Sequence, residues 1–422
     1  MTTFATEVDD TPARLAEETA AQRSRPGFAM PTYFYRSHRV YRRELEGILF
    51  KSWLYAGHVS QVADVGDYFL FDLGEDSIVV VRGVDGDIHA LMNICRHRGS
   101  RFCSEPEGSC QAFVCPYHGW VYELDGTLKA ARSMDGIAGF DPSAYSLKAC
   151  RCTVFEGLIF VNCDPAAAPF EKALREIEPA LRPYDLPTDK IAYRRNYAVE
   201  ANWKLALENY LECYHCATAH RAYAQRHTLE APSDVVAGEN AAMLKRAEEA
   251  TGVPGITLEH SRVYSSSPDF GCCAHTRRYA LYDAFKTVSR DGGLVAPLMG
   301  DFKGYDGGAG DFQLGPLAFM LNYPDYCVLY RFIPRGIADT DMELVWFVRG
   351  DAEEGRDYER DALTWLWDRT TREDQTIIRR NSEGVLSRFF EPGPYHPEQE
   401  RLCIEFVDWY LDALERNVRS GP

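Results

Sequence analysis

Two short segments of this 422-residue chain hold the residue types that most directly imply chemistry: Cys95-Arg-His97 and, after a further seventeen residues, Cys115-Pro-Tyr-His118. Each offers one thiolate and one imidazole. Together they suit a [2Fe–2S] cluster in which one iron takes two Cys and the other two His. Neutral imidazoles in place of thiolates reduce the cluster's negative charge and raise its potential, so it can accept an electron from a ferredoxin or flavin donor. A Cys₂His₂ zinc site uses the same ligand types, but zinc modules pair C-x₂₋₄-C with H-x₃₋₅-H, whereas here each half is mixed. Cys103 and Cys110, between the halves, read as structural or incidental thiols.

A second constellation lies in NWKLALENYLECYHCATAH, residues 202–220, which carries His215 and His220. A helix turns about 100° per residue, so a spacing of five leaves two side chains about 140° apart. The pair therefore predicts a π-bulge or a helix end rather than an undistorted helix. Two His and one carboxylate form the facial triad of non-haem Fe(II) oxygenases, which keeps positions open for O₂ and substrate. Glu212, three residues before His215, is one candidate for the carboxylate, and Asp374 in Arg-Glu-Asp-Gln is the other; spacing does not choose between them.

The surrounding elements must hold two metal sites. From Ser37 to Trp53 the apolar spacing predicts a helix, preceded by a mobile or helical arm up to about residue 25. After His58 the texture becomes β-rich: YFLFDL, SIVVVRG, IHALMNI and VFEGLIFVN, with turns such as VDGD and ELDGT. A small all-β domain thus precedes the Pro/Ala-rich connector DPAAAPF. Beyond it, helices are expected over Asn202–Ala219, Asp357–Glu383 and Glu400–Arg416, and adjacent antiparallel strands over Tyr326–Pro334 and Met342–Gly350. Gly292–Gly310, rich in Gly and Asp, fits either a lid or a long surface loop. The expected domains are an arm and helix (1–45), a cluster domain (46–165) and a catalytic domain (166–422).

Composition narrows the classes. With 63 acidic against 46 basic residues the net charge is −17, which disfavours nucleic acid and anionic membranes as partners. No stretch approaches the ~18 apolar residues of a membrane span, and the N-terminus lacks an apolar signal core. These features predict a cytoplasmic protein whose 13 cysteines are reduced thiols or metal ligands. The 24 Tyr, 22 Phe and 7 Trp predict large packed cores, with some rings free to line a pocket.

Both constellations resemble those of the α subunits of Rieske ring-hydroxylating-type oxygenases, and the resemblance runs over nearly the whole chain. It implies that Cys95, His97, Cys115 and His118 hold the Rieske [2Fe–2S] cluster and that His215, His220 and Asp374 hold a mononuclear Fe(II). Glu212 falls on the family's bridging acid, which links the iron of one subunit to the cluster of its neighbour in a homotrimer. The implied fold is α+β: an N-terminal all-β Rieske domain and a catalytic domain with an antiparallel sheet flanked by helices, of helix-grip type.

Glu rather than Asp at position 212, in ENYLECYHC, resembles the quaternary-ammonium branch of the family. So do residues 383–395, EGVLSRFFEPGPY, and FVDWY at 406–410. The implied function is a two-component monooxygenase that uses O₂ and electrons from an NAD(P)H-dependent flavin/[2Fe–2S] reductase. It would hydroxylate an N-methyl group of glycine betaine or a related amine and release formaldehyde. An aromatic-ring oxygenase is the nearest alternative. A purely electron-carrying Rieske protein would need only about 100 residues and no second metal site. Phe270, Tyr323, Tyr326 and Tyr330 are plausible pocket walls, though core packing explains each as well.

Overall fold

The computed structural model describes residues 10–228, 232–252, 272–282 and 285–419. Thr11 caps the N-terminal helix α1 (Pro12–Arg23), its side chain accepting from Arg14 N, with Pro at the first helical position where no N–H is needed. After a single turn, α2 (Tyr33–Arg36), the Ser37 hydroxyl accepts from Val40 N at 3.0 Å and opens α3 (His38–Glu44). The helical run continues through one π turn to Leu49, so the predicted 37–53 helix stops four residues short of Trp53.

The β-rich runs form a seven-stranded antiparallel sheet. Its strands are β1 (Leu54–His58), β2 (Asp67–Leu73), β3 (Asp76–Arg82), β4 (Ile88–Met92), β5 (Glu107–Ser109), β9 (Ala149–Phe155) and β10 (Leu158–Asn162), in the order β1-β10-β9-β4-β3-β2-β5. A smaller sheet holds β6 (Phe113–Val114), β7 (Val121–Tyr122) and β8 (Leu128–Ala130). The run VFEGLIFVN is not one strand. Glu156 (φ 46°) and Gly157 (φ 73°) make the two-residue turn that pairs Phe155 with Leu158, and positive φ at both positions matches the twist of the flanking strands. Gly157 is further confined because a Cβ there would collide with the Pro187 backbone and the His58 ring.

After α4 (Glu171–Leu181), a six-stranded antiparallel sheet is built from β11 (Lys190–Val199), β12 (Ala274–Ala280), β13 (Gly308–Leu314), β14 (Ala318–Asn322), β15 (Cys327–Gly336) and β16 (Asp339–Val348), ordered β11-β16-β15-β14-β13-β12. The expected 326–334 and 342–350 pair appears as β15 and β16, with Phe332 opposite Met342. Every residue of β14 is buried, because helices cover both faces of the sheet. On one face lie α4 and α8 (Ser233–Thr251), which rest on β12. On the other lie α5 (Trp203–Leu211), against β15 and β16, and the long α9 (Arg360–Val385), against β11. The closing α10 (Arg401–Arg419) packs on α5 and α3. This is the expected α+β architecture.

A buried ion pair ties α3 to α5: Lys204 Nζ lies 2.6 Å from Glu44 Oε1, both side chains fully buried, beneath the rings of Tyr35, Trp203 and Tyr410. Gly292–Gly310 is not a free lid. Met299 N donates to Pro324 O, Asp301 N donates to Pro183 O, Asp306 is buried against Arg278, and the last three residues already belong to β13. Among the described residues no helix is long and apolar enough to cross a membrane.

Candidate active site

The first constellation sits on two matching loops, one following β4 and one between β6 and β7. In each, the glycine four residues after the cysteine donates its N–H back to the cysteine carbonyl at 3.0 Å: Gly99 to Cys95, and Gly119 to Cys115. Both glycines have φ above 70°, a conformation that side chains rarely adopt. Cys95 and Cys115 are buried and unpaired. His97 is exposed and His118 half-buried, their ring centroids 4.6 Å apart, and His97 stacks on buried Trp120. Tyr122 OH lies 3.3 Å from Cys95 Sγ and accepts from Arg96 N at 3.0 Å. Two buried thiols beneath two imidazoles at the rim fit a cluster of mixed ligation. Cys103 and Cys110 remain free thiols in the core of this domain.

The second constellation depends on a broken helix. Of the helix expected over Asn202–Ala219, with a π-bulge or an end at the histidine pair, α5 forms the first part and ends at Leu211, where Glu212 turns to extended backbone (φ −131°, ψ 156°). The chain resumes in the short helices α6 (Cys216–Ala219) and α7 (Arg221–Ala224), with His220 at the joint (φ −123°, ψ 66°). The break removes the 140° divergence. His215 Nε2 lies 3.1 Å from His220 Nε2, and Asp374 Oδ1, from α9, lies 2.8 Å from His220 Nε2 and 3.5 Å from His215 Nε2. One donor atom from each of the three falls within 4.8 Å of the others. Two imidazole nitrogens and a carboxylate oxygen at this separation suit a ferrous ion.

Glu212 stands outside this cluster and accepts on the far side of His215, its Oε1 being 2.5 Å from Nδ1 and its Oε2 3.2 Å from the backbone N. Glu373 plays the equivalent part for His220, with Oε2 3.0 Å from Nδ1. Each carboxylate thus fixes the ring so that Nε2 faces Asp374. Burial alone would lower the His215 pKa. Hydrogen bonds to Asp374 and Glu212 outweigh it and raise it to about 9. His220 is raised in the same way, while both histidines hold Asp374 below the carboxylate range against its burial.

The same break overturns one expectation about cysteines. Turning the chain at residues 212–215 brings Cys213 and Cys216 together, Cα atoms 5.0 Å apart, and they are joined in a disulfide rather than left as reduced thiols.

His215, His220 and Asp374 form part of the wall of a cavity of about 860 Å³, its open mouth included. Its ring faces come from Tyr210, Tyr223, Tyr279, Phe319, Tyr330 and Trp367, and its polar sheet wall from His275, Arg277, Asp311 and Gln313. Of the pocket candidates named from sequence, Tyr330 lines this cavity. Tyr326 lies behind it, bonded through its OH to Trp367 Nε1, and Tyr323 is buried against His227. Phe270 lies outside the described residues. A second recess of about 800 Å³ lies against Tyr35, Glu208, Asn381 and Tyr395, and shares Asn209, Glu212 and His215 with the first. In it burial pushes Glu208 up to about 8, although Tyr35 donates to its carboxylate.

Glu373 and the polar wall were not among the residues expected from the sequence. Glu373 was signalled only by being next to Asp374. The wall was signalled by polar residues at every second position of two core strands, 275-277 and 311-313.

Residues 188–416 match the model of the ring hydroxylating alpha subunit (catalytic domain), and residues 52–141 match the Rieske [2Fe-2S] domain. The chain belongs to the Rieske ring-hydroxylating-type oxygenase α subunits. It is a Rieske-type non-haem iron monooxygenase that works with a Rieske cluster, a mononuclear iron and O₂. It is 32% identical to the glycine betaine monooxygenase oxygenase subunit of Chromohalobacter salexigens over 98% of this chain and 93% of that protein. It is 31% identical to the subunit of the same name from Pseudomonas aeruginosa, over 96% and 94%. The fold is similar to that of a quaternary ammonium Rieske monooxygenase (TM-score 0.70, 22% identity, 93% of this chain and 96% of that one). It is also similar to naphthalene 1,2-dioxygenase from Rhodococcus sp. (TM-score 0.62, 18% identity, 95% and 97%).

Proposed function

We propose that this chain is the terminal oxygenase of a two-component system that hydroxylates an N-methyl group of glycine betaine or a related quaternary amine. Electrons from NAD(P)H arrive through a separate flavin/[2Fe–2S] reductase. We assign the cluster to Cys95, His97, Cys115 and His118, the ferrous ion to His215, His220 and Asp374, and the domain divisions to 45/46 and 165/166. When bound, the cluster supplies electrons and the ferrous ion supplies O₂ activation.

The observation that carries this function is a cavity with aromatic walls into which the two histidines and the aspartate converge. A quaternary nitrogen has no N–H to donate, so ring faces hold it best, at ~0.5–2 kcal/mol each depending on desolvation. Tyr210 lies 4.5 Å from Phe319 and 5.2 Å from Tyr330, centroid to centroid, and Tyr330 lies 5.9 Å from Trp367. These packed rings orient a methyl group and exclude water from it. Hydroxylation of an N-methyl carbon gives a hemiaminal, whose C–N bond then breaks to release formaldehyde and the demethylated amine.

Glu212 serves as the bridge between metals. His215 Nδ1–H donates to it, and it faces the second recess, where the cluster tip of a neighbouring subunit would dock in a homotrimer. Exposed Tyr117 beside the cluster loops, and exposed Leu386 and Phe389 in the segment that follows α9, support such an association.

The test is turnover. Purified holoprotein with a generic Rieske reductase and NADH should release formaldehyde from a betaine, carnitine or choline. Conversion of an arene to a cis-diol, with no formaldehyde from any amine, would refute the assignment.

A further inference from the structure

The polar wall of the cavity asks for more than a cation. β12 turns His275, Arg277 and Tyr279 to the inside at every second residue, and β13 does the same with Asp311 and Gln313. Register places Arg277 opposite Asp311 and His275 opposite Gln313. The next strand continues these rows with Leu321 and Phe319, the apolar residues expected on the inner face of a sheet.

Gln313 is 1% exposed, yet neither amide atom has a hydrogen-bond partner among the described residues. A buried amide left in this state is unfavourable unless a ligand completes it. Arg277 and Asp311 stand 3.9 Å apart, beyond hydrogen-bond contact, and Arg277 Nε is also without a hydrogen-bond partner among the described residues. The guanidinium is instead 5.4 Å over the ring of Tyr279. A simple cation in this cavity would meet a like charge at Arg277, and an arene would meet a charged pair with nothing to offer it.

We infer that the cavity selects a zwitterion: the carboxylate of a betaine docks on Arg277 and Gln313, and its alkylammonium end lies among the rings on the side of Asp311. This specificity rests on the quaternary-amine function proposed above and narrows it to amines that carry a carboxylate. A planar guanidinium and an amide N–H₂ match a carboxylate's two oxygens, and the bonds are charge-assisted. Trimethylammonium compounds without an anionic end lose these contacts and keep the repulsion.

The experiment is calorimetric titration of the full-length holoprotein with three probes. Glycine betaine carries both charges, choline has the cation without the carboxylate, and 3,3-dimethylbutyrate has the carboxylate with carbon in place of the charged nitrogen. Betaine should bind at least about 10-fold more tightly than either of the others. Arg277→Gln and Gln313→Leu should each weaken betaine by about 10–100-fold; choline should change by less than about 3-fold with Gln313→Leu and should bind as tightly or more tightly with Arg277→Gln, which removes the like charge. Choline binding serves as the check that each variant is folded. Equal binding of betaine and choline by the unaltered protein, or equal weakening of both by Arg277→Gln, would overturn the inference while leaving the quaternary-amine function standing. If neither betaine nor choline binds, the broader function falls with it.

Discussion

Replacing Glu373 should loosen the iron without altering any atom of the His215–His220–Asp374 cluster. Glu373 is held at both ends, with Oε2 3.0 Å from His220 Nδ1 and Oε1 3.0 Å from Arg369 Nε. It therefore fixes the His220 tautomer and ring plane. His220 is 2% exposed, so water has little access to replace the lost acceptor. Loss of a carboxylate behind a ligand imidazole typically weakens metal binding 10–100-fold, which is about 1.4–2.7 kcal/mol. Glu373→Gln keeps an acceptor oxygen and loses only charge, so it should fall near 10-fold; Glu373→Ala should approach 100-fold. The assay is anaerobic competition for ferrous ion against a chelator of known affinity, with the visible absorption of the cluster as an internal control for folding. Glu373→Ala retaining ferrous ion within about twofold of the unaltered protein would refute the claim that this carboxylate orients the ligand.

Glu212→Gln should weaken ferrous ion about 10-fold, as Glu373→Gln does, and in iron-saturated protein should also slow electron delivery from cluster to iron by about 10-fold or more, measured by single-turnover kinetics of cluster oxidation. Lys204→Met leaves Glu44 as a fully buried, uncompensated charge, and should cost about 3–5 kcal/mol in denaturant unfolding; the double change with Glu44→Gln should cost less. Burial and the neighbouring Asp185 charge raise Asp189 to about 8 against the pull of Arg349. Between pH 4 and 8 the folded protein therefore holds a proton that the unfolded chain has released. Stability relative to Asp189→Asn should fall as pH rises through that window, by up to about 1.4 kcal/mol per unit. Flat difference curves from pH-dependent unfolding would contradict this.

The two Cys/His constellations were legible as groups because their residue types are costly to place by chance and their spacing is local. Cys95, His97, Cys115 and His118 declare themselves within 24 residues. The helix break at Glu212 was legible in outline, since His215 and His220 diverge on any regular helix. Its position was not, because it depends on what Glu212 meets in the folded chain. Spacing alone did not choose Asp374 over Glu212; the family resemblance did, and the geometry that brings Asp374 to the pair rests on long-range packing of α9, a contact between residues more than 150 apart. The polar wall was hidden for a related reason. His275, Arg277, Asp311 and Gln313 look like ordinary surface residues until strand pairing turns their shared face inward. Buried networks such as Glu44–Lys204–Tyr410 join three distant segments and carry no local signal.

Metal stoichiometry tests the central claim most directly. Anaerobically reconstituted protein should contain about three iron atoms per chain, two in a cluster with the spectrum of mixed Cys/His ligation and one beyond it. His215→Ala should lower the count to about two with that spectrum unchanged. Zinc at the Cys95 and Cys115 loops, or the same iron content with and without His215, would contradict it.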